Sequence, residues 1–111
     1  MPSPGRHLLS IAVLLAACGT ASAQSPLDFS GATETPEELI ALYDAADGQC
    51  RLSTSDDVEI QVACVSRSIY GVALNAQDWC YGRETEANAE MEWHACAADS
   101  LRFPPVSVTY P

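Results

Sequence analysis

Four cysteines, Cys50, Cys64, Cys80 and Cys96, punctuate a chain of 111 residues at intervals of 14, 16 and 16. None belongs to a CxxC pair of the kind that closes a tetrahedral zinc site, so sulfur–sulfur bonds are expected rather than a metal. An even set in a short chain reads as two disulfides, provided the chain is exported to an oxidising compartment. A fifth cysteine, Cys18, stands apart near the N-terminus.

The N-terminal segment supplies the reason to expect export. Arg6 and His7 precede an uncharged apolar run at residues 8–17, LLSIAVLLAA. Spanning a bilayer takes about 20 such residues, so this run is too short to span and has the layout of a signal peptide. Two cleavage sites compete. Ala21-Ser22-Ala23 before Gln24 has the small-x-small pattern of ordinary signal peptidase. Leu15-Ala16-Ala17-Cys18 resembles the lipobox of bacterial lipoproteins, in which Cys18 would be lipidated and the signal would end at residue 17. Either route leaves Cys18 out of the disulfide set. Cleavage after Ala23 leaves 88 residues; with Arg6 gone and all 15 acidic residues kept, the formal charge moves from −10 to −11. A chain of that size is marginal on core burial alone, and covalent staples are expected to support it.

Charge removes several functions. The five basic residues are all arginine and face 15 acids. Nucleic acid and anionic membrane surfaces both demand a basic face, so neither is an expected partner. A basic or neutral protein is.

Residues 24–34 mix Ser, Pro, Gly, Thr and acids and read as a flexible lead-in. Thr35, Pro36 and Glu38 then form a helix start with a capping box. Leu39, Leu42, Tyr43 and Ala46 share a face, and Gly48 supplies a stop, giving a first helix over residues 36–47. Asp56 and Glu59 offer a second capping box. Val58, Val62, Val65, Ile69, Val72, Ala76 and Trp79 recur at steps of four and three, the seam of a core helix, with Ile60, Arg67 and Gln77 on the opposite face. Gly82 breaks this pattern, and Thr85 can cap a third helix over residues 86–98, whose apolar positions are Ala87, Met91, Ala95 and Ala98. Two prolines forbid helix in residues 102–111, which suit an extended tail or an edge strand. The expected fold is all-α: a three-helix, disulfide-stapled domain over residues 35–101, with a proline-containing extended tail.

Helix geometry orders the disulfide pairings. Cys64 and Cys80 on one helix would lie about 24 Å apart, beyond the roughly 7 Å that a disulfide tolerates between Cα atoms. Cys50–Cys80 would strain the connection before the second helix. Cys50–Cys64 and Cys80–Cys96 are therefore preferred, with Cys50–Cys80 and Cys64–Cys96 second.

Candidate chemistry is sparse. Glu86, Glu90 and His94 fall one turn apart on the third helix and could hold a metal or make His94 a base, but such pairs touch on any helix, and a solvated acidic face is the simpler reading. Ser53-Thr54-Ser55 lies where a helix cap is needed. No GxSxG, glycine-rich phosphate loop or cofactor motif is present, so no catalytic residue and no cofactor is assigned. Among Tyr70, Trp79, Tyr81 and Trp93, Trp79 ends the seam and reads as core. Tyr81, Arg83 and Trp93 could form a contact patch, since aromatics and arginine dominate binding hot spots. Glu84, Glu86, Glu90 and Glu92 would then be its acidic rim, steering a basic partner.

The stretch Ala63-Cys64-Val65 through Ser68-Ile69-Tyr70-Gly71-Val72-Ala73 to Trp79-Cys80, with TPEELIALY upstream, resembles periplasmic immunity proteins of the Rap/Tai type. The likeness covers about half of the mature chain. It implies a periplasmic inhibitor that protects a bacterium from a type VI secretion amidase. After Cys80 the chain departs from that family, with EMEWHACAADSLRF replacing a longer helical half. A looser architectural likeness is to acid-stress chaperones of the Hde type. Three expectations follow: an immunity-like inhibitor acting by steric occlusion, a chaperone that opens when its carboxylates are protonated, or an envelope protein of structural role.

Overall fold

The computed structural model describes Gly5, residues 24–52 and residues 56–109. The cleavage sites, Cys18 and the Ser53-Thr54-Ser55 run lie outside the described residues. The elements in chain order are β1 (Gln24–Pro26), α1 (Pro36–Cys50), α2 (Val58–Ala76), β2 (Trp79–Tyr81), a single 3-10 turn (Asn88–Glu90), β3 (Trp93–Ala95) and β4 (Ser107–Thr109). The all-α, three-helix expectation is corrected: the described residues form two helices and two antiparallel two-stranded sheets, β1–β4 and β2–β3.

The helix starts follow local chemistry. Thr35 caps α1, its hydroxyl oxygen accepting from the Glu38 amide at 3.2 Å and its hydroxyl donating to the Glu38 carboxylate at 3.1 Å. The helix passes through Gly48 to Cys50, because a single glycine costs only about 1 kcal/mol in a helix that tertiary packing supports. Asp57 rather than Asp56 caps α2, accepting from the Glu59 amide at 2.9 Å.

The valine seam of α2 does not form the core. Val58, Val62 and Val65 are 73%, 58% and 56% exposed, whereas Ile60, Ala63, Gly71, Ala73 and Leu74 are buried. The Cys50–Cys64 disulfide accounts for this rotation. It brings the end of α1 to the second turn of α2, with 4.8 Å between Cα atoms, so Cys64 must face α1. At about 100° per residue, Ile60 and Arg67 lie near the azimuth of Cys64, while Val62 and Val65 turn away. Leu39 and Tyr43 of α1 meet Ala73 and Leu74 near the far end of α2. The two helices therefore run antiparallel. Small residues at 63 and 73 permit their close approach.

Residues 86–98 are not a helix. They hold the 3-10 turn and β3, which pairs with β2 in the register Trp79↔Ala95, Cys80↔His94 and Tyr81↔Trp93. The amide of Cys96 donates to the Asp78 carbonyl at 2.9 Å, placing Cys96 diagonally across from Cys80. Cys80–Cys96 is thus a cross-strand bond, with Cα atoms 5.0 Å apart, rather than a clip between a loop and a helix. Helix propensity in EANAEMEWHACAA yields to what the strand delivers. At two-residue spacing Met91 reaches Gly82, and Trp93 reaches Tyr43 and Phe103. A helix would have offered mainly alanines to its neighbour.

The two chain ends of the described structure also pair. Gln24 meets Thr109 and Pro26 meets Ser107, so the first residues expected in a flexible lead-in form a strand with the tail. Asn75 ties the end of α2 to both neighbours: its Nδ2 donates to the Trp79 carbonyl at 2.8 Å, and its Oδ1 accepts from the Phe103 amide at 2.8 Å.

That anchoring of Phe103 makes Gly71 sensitive. A Cβ there would lie 2.7 Å from the Phe103 ring. Gly71→Ala gains about 1 kcal/mol of helix propensity, against an overpacking cost of about 1–3 kcal/mol at a ring that cannot easily withdraw. A net loss of about 1 kcal/mol is expected as a lowered urea midpoint. An unchanged or raised midpoint would show that Phe103 moves aside freely.

Candidate functional site

The residues singled out after α2 do not assemble as an exposed contact patch. Tyr81 and Trp93 face each other at 5.1 Å, and Trp93 also lies 5.1 Å from Tyr43 edge-on and stacks with Phe103 at 6.1 Å. Tyr81 lies 6.0 Å from Tyr43. Half-buried Tyr81, Trp93 and Phe103 thus gather around Tyr43, which is itself part of the α1–α2 core. Trp93 Nε1 is buried without a hydrogen-bond partner among the described residues, which fits a ring held by packing. Burial, with the Asp47 carboxylate adding to it, pushes the Tyr43 hydroxyl above its ordinary value of 10.0.

Arg83 turns away from this cluster and pairs with Asp99 at 2.7 Å. Glu84, Glu90 and Glu92 are exposed and Glu86 is half-buried, all on the connection between β2 and β3. His94 makes its contacts elsewhere: Nε2 lies 2.7 Å from Ser100 Oγ, and Nδ1 lies 3.1 Å from the Glu92 carbonyl. Ser100 Oγ in turn accepts from the Ala97 amide at 2.8 Å. The helical row of Glu86, Glu90 and His94 is therefore not formed; His94 instead ties β3 to the segment that follows it. Trp79 packs against the core, as its position at the end of the seam implied, but from β2 rather than from α2.

The surface that stands out is the one left by the rotation of α2. Val58, Val62 and Val65 project from one helix, and Leu42, 39% exposed, from the other. Between them runs an open groove of about 420 Å³, lined by Leu42, Ala45, Val58, Val62, Ser66 and Tyr70, with Glu59 and Gln49 at its polar margin. Both walls belong to helices clipped together by Cys50–Cys64. That bond holds the two walls side by side at the Cys50 end of the pair. Among the described residues, no helix is long and apolar enough to cross a membrane.

No protein-family model, curated protein or solved structure matches the chain.

Proposed function

We propose that the chain is an exported acidic binding protein that occludes a basic envelope hydrolase or toxin in the manner of an immunity protein, docking it on the α1–α2 groove. The observation that carries this reading is the exposed row Val58, Val62 and Val65 on a disulfide-clipped scaffold. A contiguous apolar surface on a small acidic molecule costs solubility and is the common mark of an interaction site. Charge selects the occupant. Fifteen acids draw a basic partner to the molecule, with Glu59 at the groove itself, while two copies of so acidic a chain repel one another. The periplasmic-immunity likeness of the α2 segment supports the same reading. The two disulfides are consistent with an oxidising compartment.

Val62→Asp tests the reading, since an exposed substitution away from caps and core leaves stability within about 0.5 kcal/mol. Envelope and secreted fractions of the producing cell are passed over immobilised wild-type and variant protein, and any partner is purified and remixed. A one-to-one complex that weakens with salt, and by about 100-fold in Val62→Asp, is expected. A complex indifferent to Val62→Asp would overturn the docking face. A wild-type homodimer abolished by the substitution would assign the groove to self-association instead.

A further inference from the structure

Three of the four arginines beyond residue 23 converge on one cleft. Arg51, at the end of α1, Arg67, on α2, and Arg102, after the hairpin, line a cavity of about 420 Å³ whose aromatic walls are Tyr43, Tyr81 and Phe103. Only one acid, Asp47, shares the lining. It accepts from Arg67 at 2.9 Å and lies 3.6 Å from Arg51, aligning both guanidinium groups through its two oxygens. Three positive charges against one negative leave the cleft net positive within a strongly negative molecule. Arg102 is exposed and makes no hydrogen bond or ion pair among the described residues. Each guanidinium carries five N–H donors, so Asp47 uses a minority of those present.

We propose that this cleft binds a small organic anion, a carboxylate or phosphate monoester on a flat apolar body. Arginine forks pair bidentately with two oxygens of a carboxylate or of a phosphate, and low-dielectric aromatic walls strengthen such pairs. The walls set the body: Tyr43, Tyr81 and Phe103 pack on one another, with Tyr43 lying 5.6 Å from Phe103 and 6.0 Å from Tyr81, and together line the cleft with apolar aromatic surface. The volume falls in the range of small-molecule sites, about 300–1,000 Å³. The cleft shares none of its lining residues with the α1–α2 groove, so the anion site and the partner surface stand or fall separately.

Benzoate and phenyl phosphate are the probes, with benzyl alcohol as the uncharged counterpart and inorganic phosphate as the head group alone. Titration calorimetry on the disulfide-bonded chain, with tryptophan fluorescence reporting the ring cluster, reads binding. Saturable binding of at least one anionic probe is expected, with benzyl alcohol and inorganic phosphate each binding more weakly. Arg102→Gln and Arg51→Gln are each expected to weaken it by about 10-fold, the loss of a charge-assisted hydrogen bond. Arg83→Gln changes the net charge by the same amount and in the same direction outside the cleft, at an exposed ion pair of little energetic weight, and should leave affinity unchanged. No saturation by either anionic probe up to about 10 mM would overturn the proposal. Equal binding of benzyl alcohol, or affinity unchanged in both arginine variants, would overturn it too.

Discussion

Replacing Cys80 and Cys96 together by alanine should cost about 3–5 kcal/mol and, at 37 °C, unfold much of the population. The loop closed by this bond spans 16 residues, which in the chain-entropy model corresponds to about 3 kcal/mol. The further loss comes from what the hairpin carries. Cys80 is fully buried, and β3 brings Trp93 against Tyr43 and Phe103. A released hairpin would uncover the aromatic side of the α1–α2 pair. The matching change at Cys50 and Cys64 is expected to cost less, because those cysteines join helices already packed through Leu39, Tyr43, Ala73 and Leu74. Urea unfolding of both double variants, followed by near-ultraviolet circular dichroism for the tryptophans, measures the difference. A larger loss at Cys50–Cys64 would place the weight of the fold on the helix pair instead.

Gly82→Ala is expected to cost about 2–4 kcal/mol. Gly82 has a φ of +81°, where an L side chain costs about 1–2 kcal/mol. A Cβ would also press into the Met91 side chain, lying 3.0 Å from its Cγ and closer still to its Cε, an overpacking worth about 1–3 kcal/mol. The residue cannot simply relax, because its amide donates to the Glu92 carbonyl and its carbonyl accepts from the Leu101 amide. A double-mutant cycle with Met91→Ala separates the two costs. The steric part should appear as coupling between the sites and the φ cost should persist. Wild-type stability in Gly82→Ala would show that the turn changes conformation at little cost.

Two segments of this sequence point to structures they do not adopt, each for a physical reason. Val58, Val62 and Val65 look like a core stripe because helical periodicity reports which residues share a face, not which face meets a neighbour. Cys64 held the missing information: its bond to Cys50 brings its own face, with Ile60 and Ala63, onto α1. Residues 86–98 form no α-helix for another reason. Residues 91–95, Met-Glu-Trp-His-Ala, place two large apolar side chains at a spacing of two, a short strand signal that good helix formers on either side obscured. Burial of Trp93 and pairing with β2 then outweighed propensity.

Local chemistry was sufficient for the existence of α1 and α2, for the Thr35 cap and for a preferred pairing of four cysteines, because caps, periodicity and sulfur reach act over a few residues or through simple helix dimensions. The rotation of α2, the β2–β3 hairpin and the gathering of Arg51, Arg67 and Arg102 were decided by tertiary structure. Those arginines lie on two helices and the segment after the hairpin. Nothing in their spacing marks them as neighbours; only the Cys50–Cys64 clip, the Cys80–Cys96 clip and the Asn75–Phe103 hydrogen bond bring their separate elements around one cleft.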